Sequence, residues 1–238
     1  MLNRRHLLIT AGSLLVAPPF SMAAIHPLAR VAAAQKAIAA QNAANRPFNA
    51  KFVLKALGED MTPTETRIAI FELVRRSPYK LTAWKGDPLS LFVLGRGDCR
   101  HKAAAAAHLL KAAGFSARQT LVTFDWADLP IPRRILDLLT DTRSFHDTVL
   151  TSINGAEKLF DATWDPDLRA AGFPVLDRWD GLTGTLPITR GELRLVRAEE
   201  IPKNTNIYEF YGFRWPIKSK TLEFNRQFNA WSDEMRAI

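Results

Sequence analysis

The chain has 238 residues, 47% of them hydrophobic and 24% charged, which places it among soluble globular proteins and excludes the disordered, collagen-like and transmembrane classes. A core of this size buries about 70% of the surface of the unfolded chain, so neither a metal nor a disulfide is needed to hold it together, and the single cysteine rules out an internal disulfide. The net charge of +8 suits an acidic partner such as anionic lipid, a wall polymer or nucleic acid, and by itself selects none of them.

Met1 to Ala23 reads as an export signal: basic Arg4 and Arg5, the apolar run Leu7 to Val16, and Ser21-Met22-Ala23 as a small-x-small cleavage site. Spanning a bilayer takes about 20 apolar residues, so the segment is expected to be cleaved, leaving Ala24 as the mature start with no stable membrane insertion. The stretch Asn3-Arg4-Arg5-His6-Leu7-Leu8 resembles a twin-arginine signal, which implies folded delivery to a bacterial periplasm. An ordinary secretory signal is the alternative.

In chain order, His26 to Asn45 is alanine-rich with helical spacing but has no wide apolar stripe, and is expected as a surface helix or lead-in. Thr62-Pro63-Thr64-Glu65 combines an N-cap, a first-turn proline and a capping-box glutamate, and opens a helix that Ser77-Pro78 stops. After the turn-rich stretch Pro88 to Gly97, Asp98 to Ala113 predicts a central helix with a small-residue face, closed by Gly114. The period then changes to two: Ala117 to Phe124 is a strand, Asp128 to Thr142 holds a short helix, and Phe145 to Ile153 and Lys158 to Thr163 flank the hairpin turn Asn154-Gly155. Asp165 to Ile201 is loop-rich. Phe224, Phe228, Trp231 and Met235 form one helix face, read as core packing. The expected organisation is a signal over 1–23, a helical lead-in over 24–61, a domain over 62–201, and a C-terminal extension with an amphipathic helix over 202–238.

Cys99 stands in the first turn of its helix, where the dipole and free backbone N–H groups favour thiolate and point to where an oxyanion forms. Arg96 and Arg100 add positive charge. A cysteine nucleophile needs a base. His101 and His108 lie about 200° and 180° round the helix from Cys99, so they are read as surface or structural histidines, which leaves His146 on the first hairpin strand. With a two-residue Asn154-Gly155 turn, Asp161 opposes Thr148 and lies one diagonal step from His146 on the same face, within side-chain reach. Asp147 turns to the other face, and Asp165 is the second choice for orienting the imidazole.

These residues resemble the transglutaminase-like domain family, a branch of the papain-like thiol enzymes. The resemblance rests on Gly95-Arg96-Gly97-Asp98-Cys99-Arg100-His101-Lys102-Ala103, on Leu109 to Arg118 (LLKAAGFSAR), on the His146 strand, and on Leu159-Phe160-Asp161-Ala162-Thr163-Trp164-Asp165. It implies an α+β fold with the cysteine helix packed on an antiparallel sheet. It also implies Cys99 as nucleophile, His146 as general base and acid, and Asp161 as the orienting carboxylate. The chain departs from the family pattern at Asp147-Thr148-Val149-Leu150, where an aromatic-rich strand is usual, and at Ala162, where proline is usual. Tyr79 or Trp84 is the candidate second donor for an oxyanion hole.

The expected activity is cleavage or transfer of an amide bond in a protein, peptide or wall peptide, with no cofactor and no nucleic-acid partner. The alternative is an inactive binding module that keeps the fold. A zinc site built from Cys99, His146 and Asp161 would lack any C-x-x-C or H-x-x-x-H spacing, so no metal is expected.

Overall fold

The computed structural model describes residues 22–237, so the predicted export signal lies outside the described residues but for its last two positions. Helix α1 (Met22–Ala43) is followed by α2 (Ala50–Leu57), whose N-cap Asn49 accepts the Phe52 N–H at 3.0 Å. Helix α3 (Pro63–Arg75) starts at the predicted capping box: Thr62 Oγ1 accepts the Glu65 N–H, and Glu65 Oε2 accepts the Thr62 N–H at 2.8 Å. The short α4 (Ser90–Leu94) leads to the cysteine helix α5 (Cys99–Ala112).

Four antiparallel strands follow, β1 (Ala117–Asp125), β2 (Arg143–Ile153), β3 (Ala156–Phe160) and β4 (Arg194–Leu195), in the sheet order β3-β2-β1-β4. The insertion between β1 and β2 holds the short helix α6 (Arg133–Leu136). Helices α7 (Ile207–Phe210) and α8 (Lys218–Arg236) complete the chain. The fold is thus α+β, with α5 packed on β1 and β2. No described helix is long and apolar enough to cross a membrane.

The β2–β3 turn has positive φ at both Asn154 (53°) and Gly155 (78°), as a tight right-twisting hairpin requires. That turn sets the register Val149↔Phe160 through Ile153↔Ala156. The ladder stops at Phe160, three residues before the predicted strand end. There the Asp161 N–H leaves the ladder for Thr185 Oγ1 at 2.7 Å, and the Thr163 N–H turns to Asp161 Oδ1 at 3.0 Å.

Two apolar clusters form the interior. One joins α1, α2, α3 and most of α5 to Val149, Ile153 and Phe160 of the sheet. The other joins Phe124, Trp126, Trp164 and Tyr79 to Phe224, Phe228 and Trp231 of α8, so the face read as core packing is buried. Helix α1 departs from the expected surface role. Val31, Ala34 and Ile38 are buried, because a narrow stripe flanked by alanines lets the helix approach α3 closely. Residues Ala103 to Ala107 are all buried, since the middle of α5 is enclosed by its neighbours. Cys99 packs against the second cluster while the rest of its helix serves the first, so the thiol sits at the seam between the two.

Candidate active site

Gly95 ends α4 in the left-handed conformation, with φ 64°. Gly97 then approaches α5 so closely that an added Cβ would stand 2.5 Å from the His101 Cβ and 3.0 Å from Leu91, so the loop needs glycine there. Asp98 caps the helix by accepting the N–H groups of Arg100 at 3.1 Å and His101 at 3.4 Å. Its carboxylate also bonds His101 Nδ1 at 2.7 Å and the Arg100 guanidinium. Burial pushes the Asp98 carboxyl up, but the His101 and Arg100 bonds outweigh it and hold the group below its usual range.

Cys99 is therefore the first helical residue, half-buried. Because Asp98 takes the next two N–H groups, the Cys99 N–H is the one left without a bond among the described residues. Arg100 bonds the Asp98 carboxylate and the Thr82 carbonyl. His101 is buried on Asp98, and His108 is exposed.

His146 is fully buried, and its Nε2 lies 2.7 Å from Asp161 Oδ2. Asp161 is itself held on both sides, by the Thr163 N–H at Oδ1 and by Thr185 at its own N–H. His146 Nδ1 makes no hydrogen bond; Thr163 Oγ1 stands 3.4 Å from Nε2, Phe124 packs edge-on to the ring, and the Cys99 thiol interacts with it as well. Burial is the largest influence on this imidazole and pulls it down. The charge and hydrogen bond of Asp161, then the thiol, overcome it and raise the ring to about 10. The Asp161 carboxyl, pushed up by burial, is pulled below its ordinary range by His146.

The structure thus brings together Cys99, His146 and Asp161, and separates the other two carboxylates from the imidazole. Asp147 accepts the Gln119 amide at 2.6 Å and lines the cleft, its carboxyl raised by burial. Asp165 takes the Tyr79 N–H at 2.8 Å and a bidentate Arg236, so it serves Tyr79 instead. The Tyr79 hydroxyl stands beside the Cys99 sulfur. Burial, followed by the Cys99 and Asp98 charges, holds its phenol well above the ordinary 10, so it remains a donor. Trp84 packs edge-on to the His101 ring at 5.0 Å and does not line the cleft.

A cleft of about 320 Å³ opens over Cys99 and Tyr79. Phe124, Trp126 and Phe145 line it, together with Tyr208, Arg214 and Phe224. The last three come from the stretch 202–238, expected as an extension. Tyr208 packs edge-on to Phe145 at 5.0 Å, and the Arg214 N–H donates to Asp141 at 2.9 Å. Sequence reasoning missed Tyr208 and Arg214, which carry no motif and follow α6 by more than seventy residues, and read Phe224 only as core packing. Among the described residues, no group of three His, Cys, Asp or Glu side chains is arranged to hold a metal ion.

Residues 51–146 match the family model described as Transglutaminase-like superfamily, a span that includes Cys99 and ends at His146. No curated protein matches the chain. Over that span the chain is similar to the transglutaminase-like superfamily, and the mixed helix and antiparallel sheet that carry Cys99 are consistent with such a core.

Proposed function

We propose that the protein is a thiol enzyme that cleaves or transfers an amide bond of a protein, peptide or wall peptide. The observation that carries this reading is the buried His146–Asp161 pair at 2.7 Å, whose free ring nitrogen is left to the Cys99 thiol. With the imidazole raised to about 10, the ring is protonated at neutral pH and serves as the acid.

The Cys99 sulfur, its proton held on His146 Nδ1, attacks the amide carbonyl and forms an S–C bond. The carbonyl oxygen takes the negative charge, facing the Cys99 N–H and the Tyr79 hydroxyl. The C–N bond then breaks as Nδ1 gives its proton to the leaving amine, and a thioester remains on Cys99. Neutral His146 next takes a proton from water or from a second amine. That nucleophile attacks the thioester, and the sulfur leaves as thiolate. Asp161 holds the ring orientation through both halves, as the carboxylate does in serine triads. The same reading places the enzyme in a bacterial periplasm, exported by the segment Met1 to Ala23.

The test is incubation of the mature chain with a peptide library, with and without methylamine, followed by mass spectrometry. Hydrolysed amides indicate a hydrolase, and methylamide products a transferase. Cys99→Ala and His146→Ala must abolish either product. Peptides retained but unaltered by the wild-type chain would favour the binding-module alternative.

A further inference from the structure

Tyr79 is gripped at both of its backbone polar groups. Its N–H donates to Asp165 Oδ2 at 2.8 Å, and its carbonyl accepts from Arg236 Nη2 at 2.9 Å. Arg236, from the last turn of α8, also closes a two-point fork on Asp165, Nε to Oδ1 at 2.9 Å and Nη2 to Oδ2 at 2.8 Å. Both side chains are nearly enclosed, at 10% and 2% exposure. The Tyr79 ring is fixed from two sides, by Trp164 at 4.6 Å and by Phe228 of α8 at 6.0 Å.

The grip continues along the chain. Asn229 of α8 exchanges two hydrogen bonds with the Leu81 backbone, both 2.9 Å, and Lys80 Nζ reaches the Asn229 carbonyl and Asp233. On its other edge the segment pairs with the cysteine loop, Lys80 N–H to the Gly97 carbonyl at 3.0 Å and Gly97 N–H to the Pro78 carbonyl at 3.2 Å. Residues 79–81 are therefore a spacer set between α8 and the loop that ends at Cys99. A bidentate guanidinium fork defines position in a way that a single ammonium does not.

We infer that Asp165 and Arg236 are positioning residues for Tyr79, so that α8, outside the matched span 51–146, sets the hydroxyl that receives the oxyanion opposite the Cys99 N–H. The inference rests on the reading above that Cys99 forms a tetrahedral acyl intermediate.

Two reagents on the full chain separate the effects. Iodoacetamide alkylates Cys99 by forming an S–C bond at a saturated carbon as iodide leaves, with no oxyanion. p-Nitrophenyl acetate acylates the same sulfur through a tetrahedral oxyanion, and nitrophenolate leaves. The ratio of acylation to alkylation rates therefore reads the oxyanion site alone.

Tyr79→Phe is expected to lower this ratio by about a hundredfold, the usual cost of one oxyanion donor. Arg236→Lys, which leaves a cation beside Asp165 and so no unpaired buried charge, is expected to lower it at least tenfold, and Asp165→Asn likewise. In the Tyr79→Phe background, Arg236→Lys should then change the ratio no further, a result that general loosening of the fold would not produce. An unchanged ratio in Arg236→Lys with a loss in Tyr79→Phe overturns the positioning role. An unchanged ratio in Tyr79→Phe overturns the hydroxyl's role as well. A wild-type chain that reacts with both reagents no faster than a free cysteine peptide overturns the thiol-enzyme reading itself.

Discussion

Replacing Asp161 by Asn removes one charge while keeping size and shape, and its effect can be worked through from the site. His146 is buried and stands at about 10 against the ordinary 6.5. At roughly 1.4 kcal/mol per tenfold, that difference represents on the order of 5 kcal/mol of preference for the protonated ring. Most of it comes from Asp161, with a smaller part from the Cys99 thiol. Without Asp161, burial is left to dominate, and the imidazole should titrate below its ordinary value.

The sign of the stability effect follows. A histidine raised on folding contributes stability that is full below about 6.5 and is lost as pH rises through about 10. Asp161, lowered on folding, contributes stability that is full above its unfolded value of about 3.9 and is lost on acidification. The gap between wild type and Asp161→Asn should therefore be widest between about pH 4 and 6.5. Breaking a buried pair there costs about 3–5 kcal/mol, or roughly 6–20 °C in unfolding midpoint for a chain of this size.

Lys102 runs the other way with pH, so the difference between the two proteins is the observable, not either curve alone. Thermal unfolding at pH 5.5 and 9.5 measures the gap, and NMR of histidine-labelled protein, assigned with His146→Gln, follows the ring. An equal gap at both pH values, or a His146 resonance titrating at the same pH in both proteins, would refute the reasoning.

Asp147→Asn removes a carboxylate bonded only to Gln119, so the rate of Cys99 acylation by p-nitrophenyl acetate should stay within about twofold of wild type. Gly97→Ala drives a Cβ into His101 and Leu91. It is expected to cost about 1–3 kcal/mol in thermal unfolding and to slow Cys99 alkylation, because the loop carrying the thiol must move. Burial pulls Lys102 down to about 7, with one bond to the Arg75 carbonyl at 3.1 Å. The penalty is full below pH 7 and fades toward the unfolded value of about 10.4, so Lys102→Met should raise the unfolding midpoint at pH 6 and change it little at pH 10. Replacing Arg4 and Arg5 by Lys should leave unprocessed precursor in the cytoplasm, seen by fractionation. Normal processing would assign the ordinary secretory route instead.

Much of the site was legible because its signals are local. Asn154-Gly155 admits essentially one tight hairpin, and from that turn alone Asp161 follows as the carboxylate nearest His146, at an observed 2.7 Å. Asp98 before Cys99 marks a helix start that the cap bonds display. What escaped was long-range. Nothing near Asp165 in sequence announces that a residue 71 positions later will close a fork on it, and so Asp165 stood as the second choice for orienting His146. The buried stripe of α1 escaped because alanine gives a weak apolar period, although it is the residue that allows the closest helix contact.

Arg236 reaches back across 157 positions to the Tyr79 carbonyl. Synthesis at roughly 5–20 residues per second separates the two by about 8–30 s. During that interval the cysteine helix, β1 and the His146–Asp161 hairpin have all emerged, yet the grip on Tyr79 has not. The acyl chemistry proposed for Cys99 is therefore acquired only after α8 has been made, later than the fold of the His146–Asp161 hairpin. A ribosome-bound chain stopped short of α8 would carry a reactive sulfur without a finished oxyanion site.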